Sequence, residues 1–390
     1  MKRRLFLWVM SSVLILHCKS YSEIPYTYQQ PEFLNDGIEV GTLDQADLDS
    51  VLILKALKRI KGGAYGETHA FLIYYSGKLI LEDYFPGHKY DWFGPAFKGE
   101  WVEWDQSMPH SIMSDTKSIT SACVGIAIDH GFIKSEEESI FTYLPDHQHL
   151  KTAENTGITI EHLLTMTSGM EWQEWGIPYN SINNPIIGIW YSEKDPVSYI
   201  LEGEITHTPG THFRYFGGNQ ILLGEIIKNA SGLPLDEFSD RYLFEPLGVD
   251  SANWATRFNN GVIEAAGGLR ICPRDMLKIG IMFLDNGIWD DKRILPQNWI
   301  VNSATPYGSN NGIRIPGEDA GKVSYGYSWW NKTEMYKGSR TNIFWAGGWG
   351  GQKIIVLPAY QLVVVFTGAN YGKSIHQFEI LEDYVIPAIR

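Results

Sequence analysis

Three cysteines in 390 residues are too few for a disulfide framework, and none stands at zinc-site spacing. Cys123 and Cys272 lie among apolar neighbours and read as free buried thiols. Positive charge is also scarce: 32 Lys and Arg against 45 Asp and Glu give a net charge of −13. No basic block or arginine stripe offsets it, which excludes nucleic acid as a partner. The apolar run at 5–16 is short of the roughly 20 residues a membrane-spanning helix needs. There is no internal repeat, no Gly-x-Ser-x-Gly elbow, no phosphate loop and no His-Glu-x-x-His helix. His147 and His149 flank Gln148 in a polar stretch, which reads as a solvated loop rather than a metal site. The acids are too many to single out a glycosidase pair. Neither a metal nor an organic cofactor is expected.

What is present is ordinary globular composition, 44% hydrophobic and 20% charged, in a chain long enough for two subdomains. Aromatics reach 13%, with 14 Trp, which suggests aromatic-lined pockets. Lys2, Arg3 and Arg4 followed by the apolar run resemble a secretion signal over 1–22. It has two exits. Cys18 after Ile15-Leu16-His17 resembles a lipobox, with lipidated Cys18 as a membrane attachment; Ser20-Tyr21-Ser22 suits ordinary cleavage. The expectation is an exported bacterial protein of the periplasm or cell envelope.

The rest, 23–390, reads as a single domain. Residues 21–45 are polar and Tyr-containing, a tether or surface wrap. Helical spacing at 47–61 ends at Gly62-Gly63. A hairpin follows, 70–75 and 78–82, turning at Ser76-Gly77. Helical signals dominate from about 130 to 320, several opened by Pro in the first turn, as at 196 and 273. Strands return at 325–330, 342–346, 353–357 and 362–367, before a last helix at 375–384. Strands at both ends with helices between imply an α+β fold. Its antiparallel sheet comes from both chain ends (about 45–130 and 320–390) and is flanked by helices. A mainly helical subdomain (about 131–319) is inserted.

Ser114 and Lys117 stand three apart at the start of a helical stretch, so hydroxyl and amine share a face. A serine nucleophile needs an adjacent base and donors for its oxyanion, and a helix N-terminus offers free N–H groups. The plainer reading is an N-cap, with Asp115 as a first-turn acid favouring the dipole. Tyr215 lies on a loop before a helix, where a phenol can relay protons if cations lower its pKa, or simply pack. Residues 345–352 are glycine-rich at a strand edge. Gly347 and Gly348 there permit close backbone approach to a ligand, or mark a bulge. Trp172, Trp175, Trp330, Trp345 and Trp349 can wall an apolar pocket or fill the core.

Several stretches, in order, resemble the serine β-lactamase-related family. They are 113–118; 158–169 (Ile-Thr-Ile-Glu-His-Leu-Leu-Thr-Met-Thr-Ser-Gly); 209–224; Glu245-Pro246-Leu247-Gly248; Ala266-Gly267-Gly268-Leu269; Pro273-Arg274-Asp275; 325–330; and 347–358. The likeness covers roughly 65–385 and is nearest the 6-aminohexanoate-dimer hydrolase and carboxylesterase branch. It implies a β-lactamase/transpeptidase-like fold and two-step acyl transfer on a small ester or amide. Ser114 is then the implied nucleophile, Lys117 the base and Tyr215 the second acid/base. The N–H groups of Ser114 and Trp349 become the oxyanion hole. Two departures matter. Tyr215-Phe216-Gly217 lacks the Asn of Tyr-x-Asn, and Ala346-Gly347-Gly348 lacks the cation of Lys-Thr-Gly. Esters or linear amides therefore fit better than a β-lactam or D-Ala-D-Ala. Arg340 reads as a turn arginine, with a substitute for that cation as the alternative. A non-catalytic binding protein on the same fold is the other class of reading.

Overall fold

Apolar, β-branched runs near both ends of the chain become the strands of one sheet. The structure, a computed structural model, describes residues 26–308 and 310–390. The signal expected at 1–22, with Cys18, lies outside them. The strands are β1 (Thr68–Tyr75), β2 (Lys78–Tyr84), β3 (Ser324–Tyr325), β4 (Trp330–Tyr336), β5 (Ser339–Gly348), β6 (Gln352–Leu357) and β7 (Leu362–Gly368). Their order is β3-β4-β5-β6-β7-β1-β2, with every neighbouring pair antiparallel. The first strand thus lies beside the last, from Thr68 opposite Gly368 to Tyr75 opposite Leu362. Phe71 and Phe366 stack across that pair, ring centres 4.7 Å apart. Every residue of β6 and β7 is buried, which is why 354–357 and 362–366 read as continuous apolar runs rather than as alternation.

Helix α1 (Ser50–Lys61) opens on Asp49, whose carboxylate accepts the Val51 N–H at 3.0 Å. Helix α2 (Asp115–Asp129) packs on β5 and β6 and on α4 (Gly217–Ser231), while the short α3 is Pro185–Tyr191. Helix α5 (Pro273–Leu284) packs on β6, β7 and β1. Gly280 lets it approach closely: a Cβ there would stand 2.5 Å from Val363 Cγ1.

Burial of α2 exceeds what its spacing implies, since every residue from Asp115 to Ala127 is buried. Its hydroxyls survive there because carbonyls receive them: Ser118 Oγ donates to Ser328 O (2.7 Å), Thr120 to Ala265 O (2.9 Å) and Ser121 to Tyr327 O (2.9 Å). Those bonds explain a difference from the sequence reading. The strand expected at 325–330 is split, because Tyr327 and Ser328 turn their carbonyls to α2 and Ser328 takes φ +59°. The segment from 26 is a wrap: Val40 bridges Leu79 in parallel, and Arg274 joins Asp36 (2.8 Å) to Glu82 (2.6 Å).

Candidate active site

A two-residue strand, His110–Ser111, leads into the site and pairs with Leu269–Ile271. Buried His110 fixes it, with Nε2 2.8 Å from His69 Nδ1. The chain then turns through Met113 at φ +50°, an unusual conformation for a residue with a side chain, and enters α2. Ser114 occupies the N-cap position, yet its hydroxyl caps nothing. Instead Lys117 Nζ donates to Ser114 Oγ at 2.9 Å and to Ala266 O at 2.8 Å. Burial lowers the Lys117 pKa from its usual 10.5, opposed by the charges of Glu174, Glu264 and Asp115.

Tyr215 completes the cluster. Its ring centre lies 5.0 Å from Lys117 Nζ, and Ser114 is among the neighbours of its hydroxyl. Trp175 (5.0 Å) and Trp330 (5.9 Å) stack with it at 16°. Burial, and then Glu174, push the phenol well above 10, so it stays protonated. The condition named for proton relay, cations lowering that pKa, is not met: burial dominates and the Glu174 charge adds to it.

Asp115 stands in the first turn of α2, as the sequence reading has it. It is fully buried there, and neither carboxylate oxygen has a hydrogen-bond partner among the described residues. Burial holds its pKa well above 3.8, against the pull of Lys353.

Ser114 and Lys117 open onto a cavity of about 650 Å³. One wall is Tyr90, Trp92 and Phe93; another is α3, with Ile186, Ile187 and Trp190. Glu174, Tyr179, Glu264, Arg270 and Trp349 also face it, and of these sequence reasoning found only Trp349. The Trp349 ring is held by Tyr179 (5.0 Å), Phe97 (4.8 Å) and Tyr371 (4.9 Å). Neither the Ser114 nor the Trp349 N–H donates to an acceptor among the described residues. The missed carboxylates carried a faint signal. Glu174 sits between two Trp, and Glu264 stands just before the Ala266-Gly267-Gly268 turn. Burial pushes Glu264 up to about 7, with Lys117 and the Ala266 N–H working the other way.

The remaining binding residues expected from the sequence do not line this cavity. Trp172 stacks on Phe216 at 4.1 Å and donates Nε1–H to Glu174 at 2.9 Å, holding that carboxylate from behind. Trp330 backs Tyr215. Trp345 is fully buried against Phe378. Gly347 and Gly348 each leave room for a protein neighbour. A Cβ at 347 would lie 3.2 Å from the Trp330 ring, and one at 348 only 2.2 Å from Ile112 O. Arg340 sits near the far tip of the β4–β5 hairpin, opposite Met335. Eight residue-to-residue steps of about 3.3 Å separate it from Gly348.

A Ser–Lys–Tyr cluster at the start of a buried helix, beside an antiparallel sheet closed by both chain ends, defines a class. The chain belongs to the beta-lactamase family, whose model matches residues 59–374, a family with a serine-hydrolase-like fold. Among its relatives is the 6-aminohexanoate-dimer hydrolase of Paenarthrobacter ureafaciens, 26% identical over 306 residues, covering 76% of this chain and 71% of that protein. Two solved structures share the fold. EstCE1, a hydrolase with promiscuous acyltransferase activity, has a TM-score of 0.65 at 15% identity, covering 87% of this chain and 98% of that one. A family VIII carboxylesterase has a TM-score of 0.63 at 13% identity, covering 86% and 96%.

Proposed function

We propose that this chain is an exported serine hydrolase that cleaves an ester or linear amide through an acyl-enzyme on Ser114. The observation that carries the reading is the 2.9 Å contact from buried Lys117 to a Ser114 hydroxyl that caps no helix. Desolvation makes the neutral amine accessible, so Lys117 takes the hydroxyl proton as Ser114 attacks the carbonyl. The N–H groups of Ser114 and Trp349 receive the oxyanion. Tyr215, protonated and beside Ser114, passes a proton to the leaving group and regains one from Lys117, and water then releases the acyl group from Ser114.

Geometry at residue 217 favours esters and linear amides over β-lactams. In the Tyr-x-Asn pattern an amide side chain would stand there. A Cβ on Gly217 would lie 3.0 Å from Glu174 Oε2, which already accepts the Gly217 N–H at 2.7 Å.

The test is labelling with a fluorophosphonate, read by intact mass, beside a p-nitrophenyl ester panel and nitrocefin. A single adduct on Ser114, ester turnover and a loss of roughly 10⁴-fold or more in Ser114→Ala are expected. Unlabelled, folded protein would instead support the binding-protein reading. Export is tested separately, by finding processed protein outside the cytosol.

A further inference from the structure

The charged groups around the cavity are not equally engaged. Glu174 accepts from Trp172 Nε1 (2.9 Å), Gly217 N (2.7 Å) and Tyr179 OH (3.1 Å). Glu264 accepts the Ala266 N–H at 3.1 Å and faces Lys117. Asp91 accepts the Phe93 N–H at 2.9 Å. Lys117 is bound to Ser114 and Ala266. Arg270 differs. Its guanidinium makes no hydrogen bond and no ion pair among the described residues, although it lines the cavity.

Its placement is fixed by backbone. Arg270 is the exposed middle residue of Leu269–Ile271, whose two ends are buried, so alternation aims it out of the core. It pairs in register with Ser111, three residues before Ser114. The cation is therefore tied to the same short ladder that delivers the serine. Tyr90, Trp92 and Phe93 supply apolar surface on the same cavity.

We propose that Arg270 anchors a carboxylate on the substrate, and that the cavity selects esters or amides carrying an anionic end within reach of Ser114. A guanidinium presents a planar fork of donors that matches a carboxylate in a bidentate pair. Beside aromatic walls such a pair is stronger than in open water. Glu174 and Glu264, the buried acids on this cavity, already have donors of their own. The proposal rests on the serine hydrolase reading for its substrate, and on the cavity alone for its anion.

Two readouts separate those supports. The first compares kcat/KM for p-nitrophenyl hydrogen adipate with its neutral methyl ester, and for 4-acetoxybenzoate with its methyl ester. The pairs place the carboxylate on the acyl side and on the leaving-group side. In at least one pair the anionic preference is expected to fall about tenfold or more in Arg270→Gln, with Arg270→Lys keeping part of it. A preference within threefold of the unmodified chain in both pairs overturns the proposal. The second readout needs no turnover. Adipate is expected to raise the melting temperature of the unmodified chain and of Ser114→Ala, but not of Arg270→Gln. If no ester is turned over, the hydrolase reading fails and adipate decides the anchor: no shift in the unmodified chain overturns it.

Discussion

At the residue scale, the site is governed by what burial does to three kinds of group. It lowers the Lys117 ammonium, raises the Tyr215 phenol and raises the Glu264 carboxyl to about 7. These shifts place the neutral amine and the intact phenol where proposed general-base and proton-donor roles need them. The base must be neutral, so the rate falls as pH falls and Lys117 takes up a proton. Glu264 favours the ammonium by its negative charge. Glu264→Gln removes that charge, so the acidic limb of the kcat/KM profile is expected to move to lower pH. The two profiles should converge on the acid side, where Glu264 of the unmodified chain is itself protonated. A limb that moves to higher pH would sink this account. Ser114 and Lys117 were legible in the sequence because i,i+3 spacing suffices to pair them. Glu174, Glu264 and Arg270 were not, because a lone charged residue carries no period.

At the scale of elements, the glycines of β5 are spacers. Gly348 lets the end of β5 close on the Ile112 carbonyl, where a Cβ would approach to 2.2 Å. That close approach brings the end of β5, one residue before Trp349, up to the residue two before Ser114. Gly348→Ala must push the strand end away, and a displacement of about 1 Å at a reacting centre can cost about 100-fold in rate. The expected result is a fall in kcat of that order, with a lowered melting temperature. Wild-type-like kcat in Gly348→Ala would show that β5 does not position the site. At 347–348 the sequence signalled close backbone approach, and the protein groups that come close there are Trp330 and Ile112. Strand pairs β1–β2 and β6–β7 were readable because short turns join neighbours. The break at Ser328 was not, since hydroxyls of a remote helix impose it.

At the scale of the whole molecule, one buried ion pair ties the sheet to the loop before β3. Lys353 on β6 is fully buried and meets Glu318 at 2.7 Å. Lys353→Met leaves Glu318 without its cation and is expected to cost about 3–5 kcal/mol, read from urea unfolding. The double change Lys353→Met with Glu318→Gln should recover part of that loss. If the single variant unfolds at the original urea concentration, the pair is not a structural tie. The sequence by itself determined the α+β class, most strands and helices, and the Ser114–Lys117 pair. All of these arise from periodicity and spacing within a few residues. Only the tertiary structure decided that Tyr215 stays protonated, that Trp172, Trp330 and Trp345 stand behind the cavity, and that Arg270 faces it unpaired among the described residues. Burial, dielectric surroundings and partnership are properties of neighbours brought from 50 to 300 positions away, as Glu67 and Asn370 are (2.8 Å). No local pattern encodes that convergence.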